Sequence, residues 1–302
     1  MKHTPFAIDV TDPDLRQPYP SDVTDLQWAL VAPLLPPARP GGRRRSTDLR
    51  EVINALFYLN RNGGPWRSLP HDFPPWRTVY NYFQDWTRSG LWPKLLVHLR
   101  PQARRAADRD PTPRTAAIDS QSVKSAEGGE QIGSDGGKKV HGRKRHILVD
   151  SLGFLLAVTV TAANVDDAAA AQAIFAQVRG RDYPRLERID ADSKYHNYAL
   201  YGWLVRHRRP YELNVVRRPE QQPGFTPVAQ RWVAERTFAW LGKHRRLSKD
   251  YEHTTASSVA MVELAGIQHL LRRIAPARVE RSERFRFKRP TKNKRHSKKQ
   301  AA

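Results

Sequence analysis

Arg145-His146-Ile147-Leu148-Val149-Asp150, then Ser151-Leu152-Gly153, then the run from Phe154 to Thr161 is the stretch that decides the fold. Two apolar, β-branched runs around a short turn ending in glycine predict a tight antiparallel hairpin. Upstream, Ala116 to Asp119 reads as a shorter strand, and Gly133 to Gly142 as a Gly- and Lys-rich loop. Downstream the period changes. Asn164-Val165-Asp166-Asp167 caps an Ala-rich helix over 168–178, with both aspartates read first as caps and a role near the active site as the alternative. Leu186 to Ala191 is a fourth strand, Asn197 to Arg208 a helix and Tyr211 to Val216 a fifth strand. A loop over 217–227 leads into the helical pattern Arg231-Trp232-Val233-Ala234-Glu235-Arg236-Thr237-Phe238-Ala239-Trp240-Leu241, and Thr255 to Ile274 is a long final helix.

Three strands followed by helix–strand alternation and closing helices predict an α/β fold (an α+β mixed sheet) of ribonuclease-H-like type. The region before it has a different texture. Leu26, Leu30 and Leu34, with Trp28, Val31 and Leu35, recur at helical spacing after Ser21 or Thr24 as a cap. A second helix follows Thr47-Asp48, a third opens at Thr78, and a fourth runs from about Trp92 to Ala107. A short helix–turn–helix candidate spans Asp72 to Thr87. The expected domains are a disordered 1–20, a helical DNA-binding region over 21–110, a catalytic region over 111–278 and a basic disordered tail over 279–302.

Lys and Arg outnumber Asp and Glu by 52 to 30 in 302 residues, a formal net charge of +22. A field of that sign attracts polyanions, nucleic acid first. No apolar span of about 20 residues is present, which argues against a membrane partner. With no cysteine there is neither disulfide nor thiolate metal site. Met1 to Phe6 lacks the apolar run of a secretory leader, so the expected location is the cytoplasm.

Within this frame three acidic residues stand out. Asp119 and Asp192 each close an apolar strand, and Glu235 sits in a helix whose neighbours Trp232, Val233, Phe238, Ala239 and Leu241 suggest that it is packed. Two strand-end aspartates and a helix glutamate can converge on a pair of hard divalent cations, which clamp the attacking and leaving oxygens of a phosphoryl displacement. Asp190 competes with Asp192 from the same strand face.

Several strings, in order, resemble a known family. They are Asp22 to Trp28 before Leu34-Leu35-Pro36, Gly64 to Pro70 before Phe73-Pro74-Pro75-Trp76, Ile118 to Lys124, Gly142 to His146, Asp192 to Tyr195, and Arg231 to Leu241. Over about residues 22 to 275 the chain is similar to bacterial insertion-sequence DDE transposases of the insertion-sequence-5 group. The resemblance implies catalytic and metal-binding roles for Asp119, Asp192 and Glu235, with Asp192 favoured over Asp190 by the spacing to Tyr195. It implies two Mg²⁺ ions, with Mn²⁺ as a substitute. The implied partners are DNA, both terminal inverted repeats and target, and a second copy of the chain in a homodimer or higher assembly on DNA. The resemblance narrows the cytoplasmic location to a bacterial, nucleoid-associated one. Two positions depart from the family signature: Val228 stands where a tyrosine is usual, and Gly242, followed by Lys243, where a lysine is usual.

The residues read as contacting DNA are Arg43, Arg44 and Arg45 in a basic loop, Lys138, Lys139, Arg143, Lys144 and Arg145 around the Gly-rich loop, Arg231 one turn before Glu235, and Lys243. His141 and His146 read as polar loop histidines. Two other readings accompany the transposase: a nuclease of the same fold, and a DNA-binding protein that has lost catalysis.

Overall fold

The computed structural model describes residues 16–38, 41, 45–126, 128–216 and 231–276. The readings of Arg43 and Arg44, of the Arg231 side chain, of residues 1–15 and of the tail over 279–302 lie outside them. Four helices come first: α1 (Asp25–Val31), α2 (Leu49–Asn62), α3 (Trp76–Arg88) and α4 (Leu91–Arg105). Then follow β1 (Thr115–Lys124), β2 (Gly133–Asp135), β3 (Val140–Asp150), β4 (Leu155–Ala162) and α5 (Asp167–Gln177). Next are β5 (Arg188–Ala191), α6 (Tyr198–Arg206), β6 (Glu212–Val215), α7 (Arg231–Leu241) and α8 (Thr255–Ile274).

The sheet is mixed. β4, β3 and β1 form an antiparallel meander, β5 adds parallel to β1 and β6 parallel to β5, with the short β2 beside β3. An antiparallel meander extended by two parallel strands with helices on both faces is the ribonuclease-H-like arrangement that the strand pattern predicts. β1 and β3 are longer than their apolar runs, because they pair over nine residues from Ala116–Asp150 to Lys124–Gly142. The predicted Gly-rich loop is therefore corrected: residues 133–142 supply β2, a turn and the start of β3. Gly142 is required there, since a Cβ on it would lie 2.2 Å from the Val123 carbonyl oxygen.

The helix ends follow their capping residues. Thr24 and Gln27 make a reciprocal capping box at α1, and Asp48 accepts from the Arg50 amide at α2. Gly63, at φ 77°, ends α2. The helix–turn–helix expectation is revised. Asp72 to Thr87 holds one helix, α3, and between α2 and α3 there is only a 3-10 turn, Trp66–Ser68. Residues 16–20 are ordered too. Arg16 pairs with Asp22 at 2.9 Å and Glu51 at 2.8 Å, and lies over the Phe73 ring.

One apolar core joins α2, α3 and α4 to α7, α8 and the sheet face of Ala117, Ile147 and Val149. Arg100 on α4 is buried and donates to the Leu155 carbonyl at 2.9 Å and the Tyr183 hydroxyl at 2.8 Å, and Arg104 pairs with Asp150. The helical region thus shares its core with the sheet. A second core fills the opposite face, where α5 and α6 pack on Ile118, Leu148, Ile189 and Ala191.

Glu263 lies buried on α8, and burial pushes its carboxyl up to about 8. A folded-state value above the unfolded one favours folding while the group is protonated, so stability declines as pH rises from about 4.5 toward 8. Glu263→Gln should therefore raise Tm at pH 8 and change it little at pH 4.5. The gain approaches about 1.4 kcal/mol per unit of the displaced pKa. Thermal unfolding at the two pH values checks this.

Candidate active site

Strand alternation sorts the site residues. Asp119 lies opposite Ile147 and Ser120 opposite His146, and directly opposed residues share a face. Ala117, Asp119 and Ile147 therefore face α7 and α8, while Ile118, Ser120 and His146 face α5. On the parallel side Ala117 is level with Asp190. Asp119 lies two residues beyond Ala117, in the middle of β1, and Asp192 two residues beyond Asp190, just past the end of β5, so continuing the register would carry both along the α7 face. Both are half-buried. Asp119 Oδ1 accepts the Ser120 amide at 2.8 Å, and Asp192 Oδ1 accepts the Lys194 amide at 2.9 Å, capping the 3-10 turn Ser193–Tyr195. Asp190 is occupied otherwise: it is buried, accepts from Asn214 Nδ2 at 2.7 Å and faces Arg188 Nε at 3.2 Å.

Glu235 is on α7, which packs across β1 and β3 through Val233, Ala234 and Phe238. Its side chain is exposed, which corrects the expectation of a packed carboxylate. The apolar stripe 233, 234, 237, 238, 241 faces the core and leaves 235 at its edge. Among the described residues no three His, Asp or Glu side chains are close enough to hold a metal ion. The two aspartates thus follow one another's register on adjacent chain segments, with the third acid on the helix over the same sheet face, and the three are not closed into one coordination shell. The donor set consists of carboxylates, the ligand type that Mg²⁺ takes.

On the α5 face lies a group around Asp167, which the sequence reading gives only as a cap with a role near the active site left open. Asp166 alone caps α5, accepting from the Ala168 and Ala169 amides. Asp167 instead turns inward, buried against Ser120, Lys144 and His146. The doublet was the available signal, since one cap needs one carboxylate and the second is left over. Tyr195 is buried beside this group. Burial, reinforced by the negative charges of Asp167, Asp119 and Asp192, raises its phenol well above the ordinary range and keeps it protonated.

The basic motif Gly142-Arg143-Lys144-Arg145-His146 is corrected most. Arg143 is fully buried, pairing with Asp250 at 3.1 Å and donating to the Glu252 and His253 carbonyls at 2.7 and 2.9 Å. Arg145 is buried on the same face and donates to the Leu247 and Lys249 carbonyls at 2.7 and 2.9 Å. Lys144 points the other way, to the Val165 carbonyl at 2.8 Å and Asp167 at 3.1 Å. All three are buried and engaged by partners inside the fold, in place of the exposed basic loop that the sequence suggests. His146 is a buried strand residue beside Thr161, its pKa lowered by burial to about 4, and so neutral near pH 7. His141 accompanies Ser134 on the exposed hairpin. Lys138 and Lys139 at the hairpin tip and Lys243 after α7 are exposed. Arg45 donates to the Pro36 and Pro37 carbonyls while remaining exposed. A cleft of about 1130 Å³ between α3 and the 36–47 segment, lined by Arg45, Thr78, Asn81 and Asp85, lies beside the helical region rather than at the acids.

Comparison with known proteins agrees with the motifs. The family described as "Transposase DDE domain" matches residues 110–267, more than half of the chain, and "Putative transposase of IS4/5 family (DUF4096)" matches residues 23–96. The chain belongs to the DDE transposase family. An "Insertion element IS402 uncharacterized 16.2 kDa protein" of Burkholderia cepacia is 30% identical over 37% of this chain and 78% of that protein. A "Putative transposase for insertion sequence element IS402" of the same organism is 31% identical over 41% of this chain and 60% of that protein. Among solved structures, the catalytic core domain of BIV integrase is 10% identical over 49% of this chain and 81% of that one, with a TM-score of 0.30. A piggyBac transposase synaptic complex with hairpin DNA is 11% identical over 82% and 70%, with a TM-score of 0.36. Scores this low do not bear on the fold.

Buried and exposed cations should separate in experiment. Lys138→Ala with Lys139→Ala should lower the salt dependence of DNA binding by up to about two phosphate contacts. Arg143→Ala should instead cost about 3–5 kcal/mol of stability by taking from buried Asp250 the nearer of its two arginines, at 3.1 Å against 4.0 Å for Arg145. Salt titration of binding and urea unfolding read the two effects.

Proposed function

We propose that this transposase binds the terminal inverted repeats of an insertion sequence, cleaves the element ends and joins them to target DNA, using Asp119, Asp192 and Glu235. The observation that carries the reading is the β1–β5 register. It levels Ala117 with Asp190, and its continuation by two residues would bring Asp119 of β1 toward Asp192 just past β5, on the face crossed by the helix of Glu235. Asp119 and Asp192 would supply the fixed carboxylates and Glu235 the adjustable one, since an exposed helix side chain can swing where a strand-end one cannot. Two Mg²⁺ ions, with Mn²⁺ as a substitute, would supply activation of the attacking oxygen and stabilisation of the leaving one. With water as the nucleophile the outcome is cleavage; with a terminal 3′-hydroxyl it is strand transfer.

DNA would be positioned by exposed cations: Arg45, Lys138, Lys139 and Lys243, with Arg43, Arg44 and Arg231 as candidates from the sequence. The exposed side of α3, with Arg77, Asn81 and Arg88, adds a surface beside the Arg45 cleft. Joining two ends requires both to be held at once, so a homodimer or higher assembly on DNA is part of the proposal.

The test is incubation of purified protein with labelled element ends and Mg²⁺, followed by mapping of the cuts and capture of joined products. Asp119→Asn, Asp192→Asn and Glu235→Gln should each reduce cleavage below about one hundredth of wild type. Repeat binding should stay within about threefold, because phosphate contacts dominate affinity. Retained cleavage in any variant removes that residue from the site. Cutting without joining favours the nuclease reading.

A further inference from the structure

We propose that Asp167 is a positioning residue that fixes Asp119 and Asp192 through their sequence neighbours; this rests on the reading of both as cation ligands. Its Oδ1 accepts the Ser120 hydroxyl at 2.9 Å and lies 3.1 Å from Lys144 Nζ and 3.8 Å from His146 Nδ1. Its Oδ2 faces Lys194 Nζ at 4.0 Å. Ser120 directly follows Asp119, and Lys194 belongs to the turn that Asp192 caps. Tyr195, the last residue of that turn, is buried near Asp167, Asp119 and Asp192 together. One carboxylate therefore engages β1 beside Asp119 and the turn that follows β5, from the face opposite the proposed site.

The physical need is plain. Two carboxylates brought toward one another repel, and β5 ends one residue before Asp192, so no ladder holds that backbone. Asp167 is held in turn: Asp166 does the capping, and Lys144 is anchored to the Val165 carbonyl at 2.8 Å. Partners that orient ligands in this way affect metal affinity about 10- to 100-fold.

The experiment uses the full-length protein and Mn²⁺ alone, with bound ion followed by the loss of the free Mn²⁺ electron paramagnetic resonance signal. Cleavage against Mn²⁺ concentration and Tm are measured alongside. Ser120→Ala removes the tie without stranding a buried charge, so it should fold with Tm within a few degrees of wild type. Its Mn²⁺ affinity should fall by about tenfold, with cleavage recovered at high Mn²⁺. Ser120→Thr, which keeps the hydroxyl, should restore both. Asp167→Asn should weaken affinity at least as much; if it fails to fold, Ser120→Ala decides. Folded variants with wild-type affinity and wild-type cation dependence overturn the proposal and leave Asp167 as a helix-to-sheet staple. Should wild type take up no Mn²⁺, or Asp119→Asn bind it equally well, the acid-site reading itself falls and this inference with it.

Discussion

Four consecutive ionisable side chains, Arg143 to His146, pass through the middle of the sheet, and the structure depends on satisfying each of them. An unpaired buried charge costs several kcal/mol, so a strand of this kind forms only where partners meet it on both faces. Alternation sends Arg143 and Arg145 to the segment between α7 and α8, where Asp250 and the carbonyls of residues 247–253 receive them. It sends Lys144 and His146 to the other face, where α5 brings Asp167. The sheet, α5 and the segment after α7 are thereby fixed together. The two aspartates and the helix of Glu235 are attached to those same parts.

The same segment holds the helical region. Arg246 donates to the Gly64 carbonyl and pairs with Glu252 at 2.7 Å, while Arg61 donates to the Lys243 carbonyl at 2.9 Å. The motif from Gly64 to Pro70 is explained by this junction. Its glycine carbonyl and Trp66 receive Arg246, whose guanidinium lies 5.8 Å from the Trp66 ring centre. With α4 and α2 packed on α8, a surface that binds DNA on the helices would be held in fixed relation to the acids.

Much of this was legible in the sequence, because much of it is local. The Phe154–Thr161 run, the closing helix over 255–274 and the capping residues Thr24 and Asp48 each announce themselves within a few residues. The family motifs name the two aspartates, and the β1–β5 register comes within two residues of them, at Ala117 and Asp190. What was not legible depends on distant partners. Gly142 to Arg145 reads as an exposed basic loop unless one knows that Asp250, over a hundred residues away, will meet Arg143. Asp167 reads as a second cap until Ser120 and Lys144 arrive from two other strands. The exposure of Glu235 depends on which way α7 is rotated about its axis, a matter of one position beside the buried stripe of Val233, Ala234, Phe238 and Leu241.

The most direct measurement is a crystal structure of the protein on element-end DNA grown with Mn²⁺, with the ions located by anomalous scattering. The account predicts two peaks about 3.5–4 Å apart, held by Asp119, Asp192 and a Glu235 side chain swung in from the α7 edge. Peaks elsewhere, or a Glu235 carboxylate still pointing to solvent while the ions are bound, would contradict it.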